Sequence, residues 1–75
     1  MKTAKHDYRF GRGLGRLMER HEISRLDLQE WTGVSRQAIT QIRRCEVTPN
    51  ESTKRQLAAA FRLTVAEVEA LGDES

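Results

Sequence analysis

Apolar residues recur along the chain in five short groups, and within each group their spacing is that of one face of an α-helix. The first group, for example, places Phe10, Leu14, Leu17 and Met18 on a common side. Polar turn residues separate the groups, and no segment is predicted to be a strand. We therefore predict a compact all-α fold. Its five helices are expected at about 10–22, 25–32, 36–44, 51–61 and 65–71.

Residue types at the predicted helix starts support these boundaries. Ser24, Ser35 and Asn50 precede the second, third and fourth helices, and their side chains can accept a hydrogen bond from the first helical turn. Thr64 with Glu67 forms a capping-box pattern before the fifth helix. Four of the five helices thus have a predicted N-cap.

The segment Gly11-Arg12-Gly13-Leu14-Gly15 makes the start of the first helix its weakest part. Each glycine in a helix interior costs roughly 1 kcal/mol relative to alanine. A glycine-rich segment can also cradle phosphate, but here no strand precedes it and no Lys-Ser/Thr follows it. A nucleotide-binding loop is therefore not predicted.

Residues 25–44 hold two predicted helices joined at Thr32-Gly33-Val34, a break too short for an ordinary loop. Gly33 can adopt the left-handed conformation that ends a helix sharply. The second of these helices has one apolar side. Its other side has no carboxylate and carries Arg36, Gln37, Thr40, Gln41, Arg43 and Arg44. Such a face suits the major groove of DNA, where arginine and glutamine make paired hydrogen bonds with base edges.

The charge is distributed unevenly along the chain. The formal net charge is only +2. Residues 1–44 carry ten Lys/Arg and five Asp/Glu, which gives +5, whereas residues 45–75 carry three and six, which gives −3. This asymmetry suggests one side that faces a polyanion and one that faces away from it. Ordinary solvated charge is the alternative interpretation.

The composition argues against several other classes of protein. Seventy-five residues make one small domain, and they contain no run of about 18 apolar residues that would predict a membrane span. No apolar stretch follows the basic start, so a signal peptide is not predicted. His6, His21 and Cys45 lack the spacing of metal ligands, and no nucleophile–base set is recognisable. We therefore expect no metal, no cofactor and no enzymatic activity, and the single cysteine fits a reducing cytoplasm.

Three motifs occur in a characteristic order: GVSRQAITQIRR, Thr48-Pro49-Asn50 and FRLTVAEVEAL. Together they make residues 14–71 resemble the lambda-repressor/Cro-like helix-turn-helix family, also called the xenobiotic-response-element type. The resemblance implies a five-helix DNA-binding domain over residues 10–72, with its helix-turn-helix core at 25–44, after a flexible basic arm over residues 1–9.

The chain departs from the family pattern at two places. Four positions before the turn glycine the family usually has alanine, and here the residue is Gln29. We expect this side chain to bend outward or to widen the helix crossing. After the second isoleucine the family often has Glu-Arg-Gly, and here the sequence is Arg43-Arg44-Cys45. The change adds positive charge and leaves the turn after the third helix without its glycine.

The resemblance implies roles for four groups of residues. Those expected to contact bases are Arg36, Gln37, Thr40 and Gln41. Those expected to contact phosphate are Arg25, Ser35, Arg43, Arg44 and Lys54. The cations of the N-terminal arm are Lys2, Lys5, Arg9 and Arg12. The residues expected at a dimer interface are Val65, Val68 and Leu71, while Trp31 is expected in the core.

These expectations point to a sequence-specific regulator of transcription that binds double-stranded DNA. Its form would be a small homodimeric repressor on a pseudo-palindromic operator, of a phage, mobile-element or autoregulatory type, in the bacterial cytoplasm or nucleoid. The alternative is an antitoxin or another protein-interaction module that neutralises a partner, with or without DNA binding. Such a partner would be a toxin or an antirepressor.

Overall fold

The computed structural model describes residues 8–73 and contains five helices in that part of the chain. They are α1 (Arg9–His21), α2 (Arg25–Thr32), α3 (Arg36–Arg43), α4 (Glu51–Ala60) and α5 (Val65–Asp73). The described residues include no strand, so the prediction of an all-helical fold is confirmed. The Cα radius of gyration is 11.5 Å, close to the value of about 11 Å that a compact domain of this length has.

The helices begin where side-chain caps were predicted. The side-chain oxygens of Ser24, Ser35 and Asn50 each accept a hydrogen bond from the backbone N–H three residues later, at 3.1, 3.1 and 2.8 Å. Before α5, the Thr64 N–H donates to Glu67 Oε1 at 2.8 Å, and the Glu67 N–H donates to Thr64 Oγ1 at 3.1 Å. These bonds satisfy amides that a helix start leaves without an intrahelical acceptor.

One aliphatic core joins all five helices. Its buried members are Phe10, Leu14, Leu17, Met18, Leu28, Ile39, Ile42, Leu57, Ala58 and Val68. Helix α1 supplies four of them and contacts α3, α4 and α5. The core therefore fixes α3 on the same scaffold that holds α1 and α5.

Two glycines let the backbones of α1 and α5 touch. A Cβ atom added at Gly13 would lie 2.0 Å from the carbonyl oxygen of Val68, and one added at Gly72 would lie 1.8 Å from that of Arg9. No side chain fits at such distances. The glycines that weaken the start of α1 in isolation are thus required by its contact with α5, and that contact compensates for their low helix propensity.

The prediction that Trp31 packs in the core is wrong. Its side chain is 58% exposed, whereas Leu28 on the same helix is fully buried. Helix α2 packs against α3 and α4 on the face that carries Leu28. This arrangement leaves the indole at the surface, where it borders a shallow depression with Ile23 and Phe61.

Candidate nucleic-acid interface

A three-residue turn fixes the direction of α3 relative to α2. Gly33 ends α2 in the left-handed conformation, at φ 81°, and its N–H donates to the Gln29 carbonyl at 2.8 Å. The Thr32 hydroxyl donates to the Leu28 carbonyl at 2.7 Å and accepts from the Val34 N–H at 3.1 Å. Backbone and side-chain bonds therefore both hold the turn, so α3 has a defined orientation on α2.

Gln29 takes a role that sequence reasoning did not anticipate. Its side-chain oxygen Oε1 accepts a hydrogen bond from the Arg36 N–H at 2.9 Å. The side chain neither bends outward nor is lost to solvent, since Gln29 is half-buried between the two helices. Together with the Ser35 cap, it occupies two of the amides at the start of α3. The departure at Gln29 thus strengthens the joint between α2 and α3.

The outward face of α3 is polar and accessible. Ile39 and Ile42 are buried, whereas Arg36 and Gln37 in the first turn are exposed and Gln41 is half-buried. This face and the start of α2 enclose a shallow groove. Its lining within the described part of the chain holds no carboxylate and consists of Arg25, Gln29, Ser35, Arg36, Gln37 and Thr40.

Arg25 and Thr40 connect α2 to the middle of α3. The Arg25 Nη1 donates to Thr40 Oγ1 at 2.7 Å, and this hydroxyl donates to the Arg36 carbonyl at 2.9 Å. The bond positions the Arg25 guanidinium beside the groove. A base contact through the Thr40 hydroxyl would have to compete with Arg25, so the hydroxyl's first role is to position that arginine.

A second, larger cleft lies between α1 and α3 on the other side of Arg25. We call it the arginine cleft. It is open to solvent, has a volume of about 570 Å³, and shares Arg25 and Thr40 with the shallow groove. Arg43 and Arg44 from the end of α3 also line it. Three of the cations predicted to contact phosphate thus lie around one cleft.

Two further cations line the arginine cleft from α1, namely Arg12 and Arg16. Sequence analysis assigned Arg12 to the arm and gave Arg16 no role. Their spacing held the missing signal, because residues four apart lie on one face of a helix. Gly11 and Gly15 lie beside them at the same spacing and form part of the cleft's lining.

Lys54 does not belong to this surface, and its predicted phosphate contact is wrong. The residue is only 8% exposed, and its Nζ lies 3.3 Å from Glu69 Oε2 on α5. Helix α4 packs its inner face on α5, so the ammonium group is turned inward and is compensated by a carboxylate.

Arg9 and Arg12 are not members of a flexible arm, contrary to prediction. Arg9 is the first residue of α1, and its Nη1 lies 3.2 Å from Asp73 Oδ2 while its Nη2 lies 3.9 Å from Glu69 Oε1. The Arg12 Nε donates to the Gly72 carbonyl at 3.1 Å. Contacts with α5 therefore order both arginines on the helix.

The other predicted residues lie elsewhere. Lys2 and Lys5 fall outside the described residues. Val68 is fully buried in the core, so its predicted place at a dimer interface is wrong. Val65 and Leu71 are half-buried on α5, and α5 makes no contact with α3 within residues 8–73. Any surface formed by these two residues is separate from the groove.

Other kinds of site receive no support from the described residues. Among residues 8–73 there is no group of three or more His, Cys, Asp or Glu side chains that could hold a metal ion. None of the helices in the same range is long and apolar enough to cross a membrane.

The chain was also compared with known proteins in three ways. No family model, no curated protein and no solved structure matches it. Function is therefore inferred from this chain's own residues and their geometry.

Proposed function

We propose that the protein is a sequence-specific regulator of transcription that binds double-stranded DNA through a lambda-repressor/Cro-like helix-turn-helix, α2–turn–α3. The observation that carries the proposal is the first turn of α3. Arg36 and Gln37 are exposed there, while Gln29 and Ser35 hold the backbone of that turn. A fixed backbone with exposed, paired donors and acceptors is what reading of base edges requires.

Each exposed side chain of α3 matches a base edge. An arginine can donate two hydrogen bonds to guanine O6 and N7, and a glutamine can pair with adenine N6 and N7. Arg36 and Gln37 lie at the helix end that enters the groove first in this class of motif. Gln41 lies one turn further along and is half-buried, so its contact is expected nearer the groove edge.

Cations beside the groove would bind the DNA backbone and set the register of the protein. Arg25 is held at the groove edge by Thr40. Arg43 and Arg44 flank the opposite end of α3. Contacts of this kind add affinity for any sequence and leave discrimination to the base-reading residues.

Two copies of the chain are proposed to bind one pseudo-palindromic operator. Their recognition helices would enter successive major grooves about 34 Å apart. With Val68 in the core, Val65 and Leu71 remain as the apolar part of the proposed dimer surface. That surface is small, so we expect DNA to drive assembly, and occupancy of the operator would repress the promoter.

Fluorescence anisotropy with the DNA upstream of the gene, and with a scrambled duplex as reference, tests the proposal. We expect the native duplex to bind about a thousandfold more tightly. Arg36→Ala and Gln37→Ala should each lower this ratio by at least about tenfold, because a bidentate base contact contributes about 1–3 kcal/mol.

Arg62→Ala is the matched control. It removes an exposed arginine from the turn between α4 and α5, away from α3, and should leave the ratio unchanged. Circular dichroism would verify that all variants are folded. Equal affinity for both duplexes, or a ratio that survives the Arg36→Ala, Gln37→Ala double variant, would overturn the proposal.

One observation favours a second candidate, a module that neutralises a partner protein such as a toxin or an antirepressor. Trp31 is 58% exposed beside Ile23 and Phe61, and exposed tryptophans are frequent anchors of protein interfaces. The chain has one tryptophan, so its fluorescence reports on this surface alone. A blue shift on adding the product of a neighbouring gene, lost in Trp31→Ala binding assays, would support this candidate.

A further inference from the structure

We propose that the arginine cleft is a binding site for a phosphate group, which either belongs to the DNA backbone or is carried by a small phosphorylated ligand. The inference rests on the proposed function only for its DNA arm. The side chains that give the cleft its charge come from α1, α2 and α3: Arg12, Arg16, Glu19, Arg25, Arg43 and Arg44. Five guanidinium groups thus face one carboxylate.

Arg43 provides the strongest reason to expect an anion in the cleft. Its Nε is buried and has no hydrogen-bond partner within the described residues. Leaving a buried donor unsatisfied costs about 1–3 kcal/mol, and more when the group is charged. A phosphate oxygen placed in the cleft would supply an acceptor and would offset the charge.

Two other arginines of the cleft are held in place before any ligand arrives. Arg12 uses its Nε to bond the Gly72 carbonyl, and Arg25 uses its Nη1 to bond the Thr40 hydroxyl. A guanidinium has five N–H donors, so one such bond orients it and leaves most of its donors for a ligand. Guanidinium groups fixed in this way favour phosphate, which they can bind in a bidentate manner.

The glycines of α1 give the cleft its floor. At Gly11 the backbones of α1 and α3 meet, since an added Cβ would lie 2.2 Å from the carbonyl oxygen of Ile42. At Gly15 the helices have diverged, and an added Cβ would lie 3.6 Å from Arg43 Nε. The second position is thus open to a side chain that points into the cleft.

The place of the cleft links it to DNA binding. It shares Arg25 and Thr40 with the groove on α2 and α3, so a phosphate in the cleft would lie next to the proposed base-reading surface. A backbone phosphate there would anchor the recognition helix. A free phosphorylated ligand would compete with DNA for the same arginines.

Gly15→Glu is the test variant, because it places a carboxylate in the cleft on a helix that tolerates it sterically. Gly15→Ala is its matched control, and Arg43→Gln removes the anchoring guanidinium independently of any change at position 15. Inorganic phosphate is the first probe, measured by NMR shifts of the arginine Nε–H groups at constant ionic strength. Anisotropy with a scrambled duplex at several salt concentrations is the second.

Saturable phosphate binding by the unmodified protein and Gly15→Ala, lost in Gly15→Glu and Arg43→Gln, would support a site open to free phosphorylated ligands. No phosphate binding, with a salt slope for the duplex that is shallower by about 0.9 per protomer in both loss variants, would assign the site to backbone phosphate. If neither measurement distinguishes Gly15→Glu from Gly15→Ala, the inference is overturned.

These outcomes are separable from failure of the proposed function. Loss of the phosphate site should leave the preference for the native over the scrambled duplex, because base reading uses Arg36 and Gln37. Conversely, a protein without sequence preference would still give a readable result with inorganic phosphate.

Discussion

At three positions a residue with a side chain adopts the left-handed backbone conformation. They are Glu22 (φ 54°), Cys45 (φ 61°) and Arg62 (φ 60°), which follow the ends of α1, α3 and α4. Glycine is the usual residue in such places because its lack of Cβ removes the steric cost. Cys45 keeps the turn after α3 even though the glycine typical of the resembled family is missing, so the change from glycine is tolerated at a cost in strain.

Replacing Glu22 by glycine should stabilise the protein. The left-handed conformation costs a residue with a Cβ roughly 1–2 kcal/mol, and the greater entropy of glycine in the unfolded chain takes back about 0.4–1 kcal/mol. We expect a net gain of about 0.5–1 kcal/mol in the free energy of unfolding. Urea denaturation measures it. Glu22→Ala keeps the Cβ and should give no gain; equal stabilisation by both changes would contradict the argument.

Features decided within a few residues of sequence could be predicted, and those decided by packing could not. Ser24, Ser35 and Asn50 cap helices through bonds that span three residues. In contrast, Trp31 and Lys54 owe their exposure and burial to how α2 and α4 are rotated against their neighbours. Helical periodicity gives an apolar face but does not say which flanking residue it includes.

The same limit applied to the candidate site. The outward residues of α3 follow from its own periodicity, so Arg36 and Gln37 could be named from sequence. The role of Gln29 depends on how close α2 comes to the start of α3. The participation of Arg12 and Arg16 depends on where α1 crosses α3, which no local pattern gives.

At the scale of elements, the contact between α1 and α5 is the closest in the molecule's described part and depends on Gly13. Gly13→Ala should destabilise the protein by about 2–4 kcal/mol, because the new methyl would overlap the Val68 carbonyl, an atom of the backbone that cannot move without shifting α5. Thermal denaturation measures the loss, and about 4–8 °C is expected per kcal/mol for a domain of this size.

Gly15→Ala is the control for this prediction. It lies on the same helix, two residues away, and its added methyl would make only ordinary contact. The better helix propensity of alanine should then raise stability by up to about 1 kcal/mol. If the two substitutions had the same effect, close backbone contact would not be the reason for glycine at position 13.

At the scale of the whole molecule, charge is separated along with structure. The cations around α3 come from α1, α2 and α3, whereas Glu69 and Asp73 on α5 lie against Lys54 and Arg9 on the far side of α1 and α4. The excess of positive charge in residues 1–44 thus gathers around one surface. A surface of this kind attracts a polyanion and orients it before any specific contact forms.

The affinity for DNA should therefore fall steeply with salt. Arg25, Arg43 and Arg44 from two protomers would neutralise about six phosphates, which predicts a slope of log affinity against log salt of about −5, at −0.9 per contact. Arg44→Gln should make the slope shallower by about 2, one contact from each protomer. Arg62→Gln removes the same charge from the opposite side and should leave the slope unchanged. A shallow slope that is insensitive to Arg44 would mean that the phosphates lie elsewhere, because counterion release counts the cations that DNA contacts and ignores those it does not.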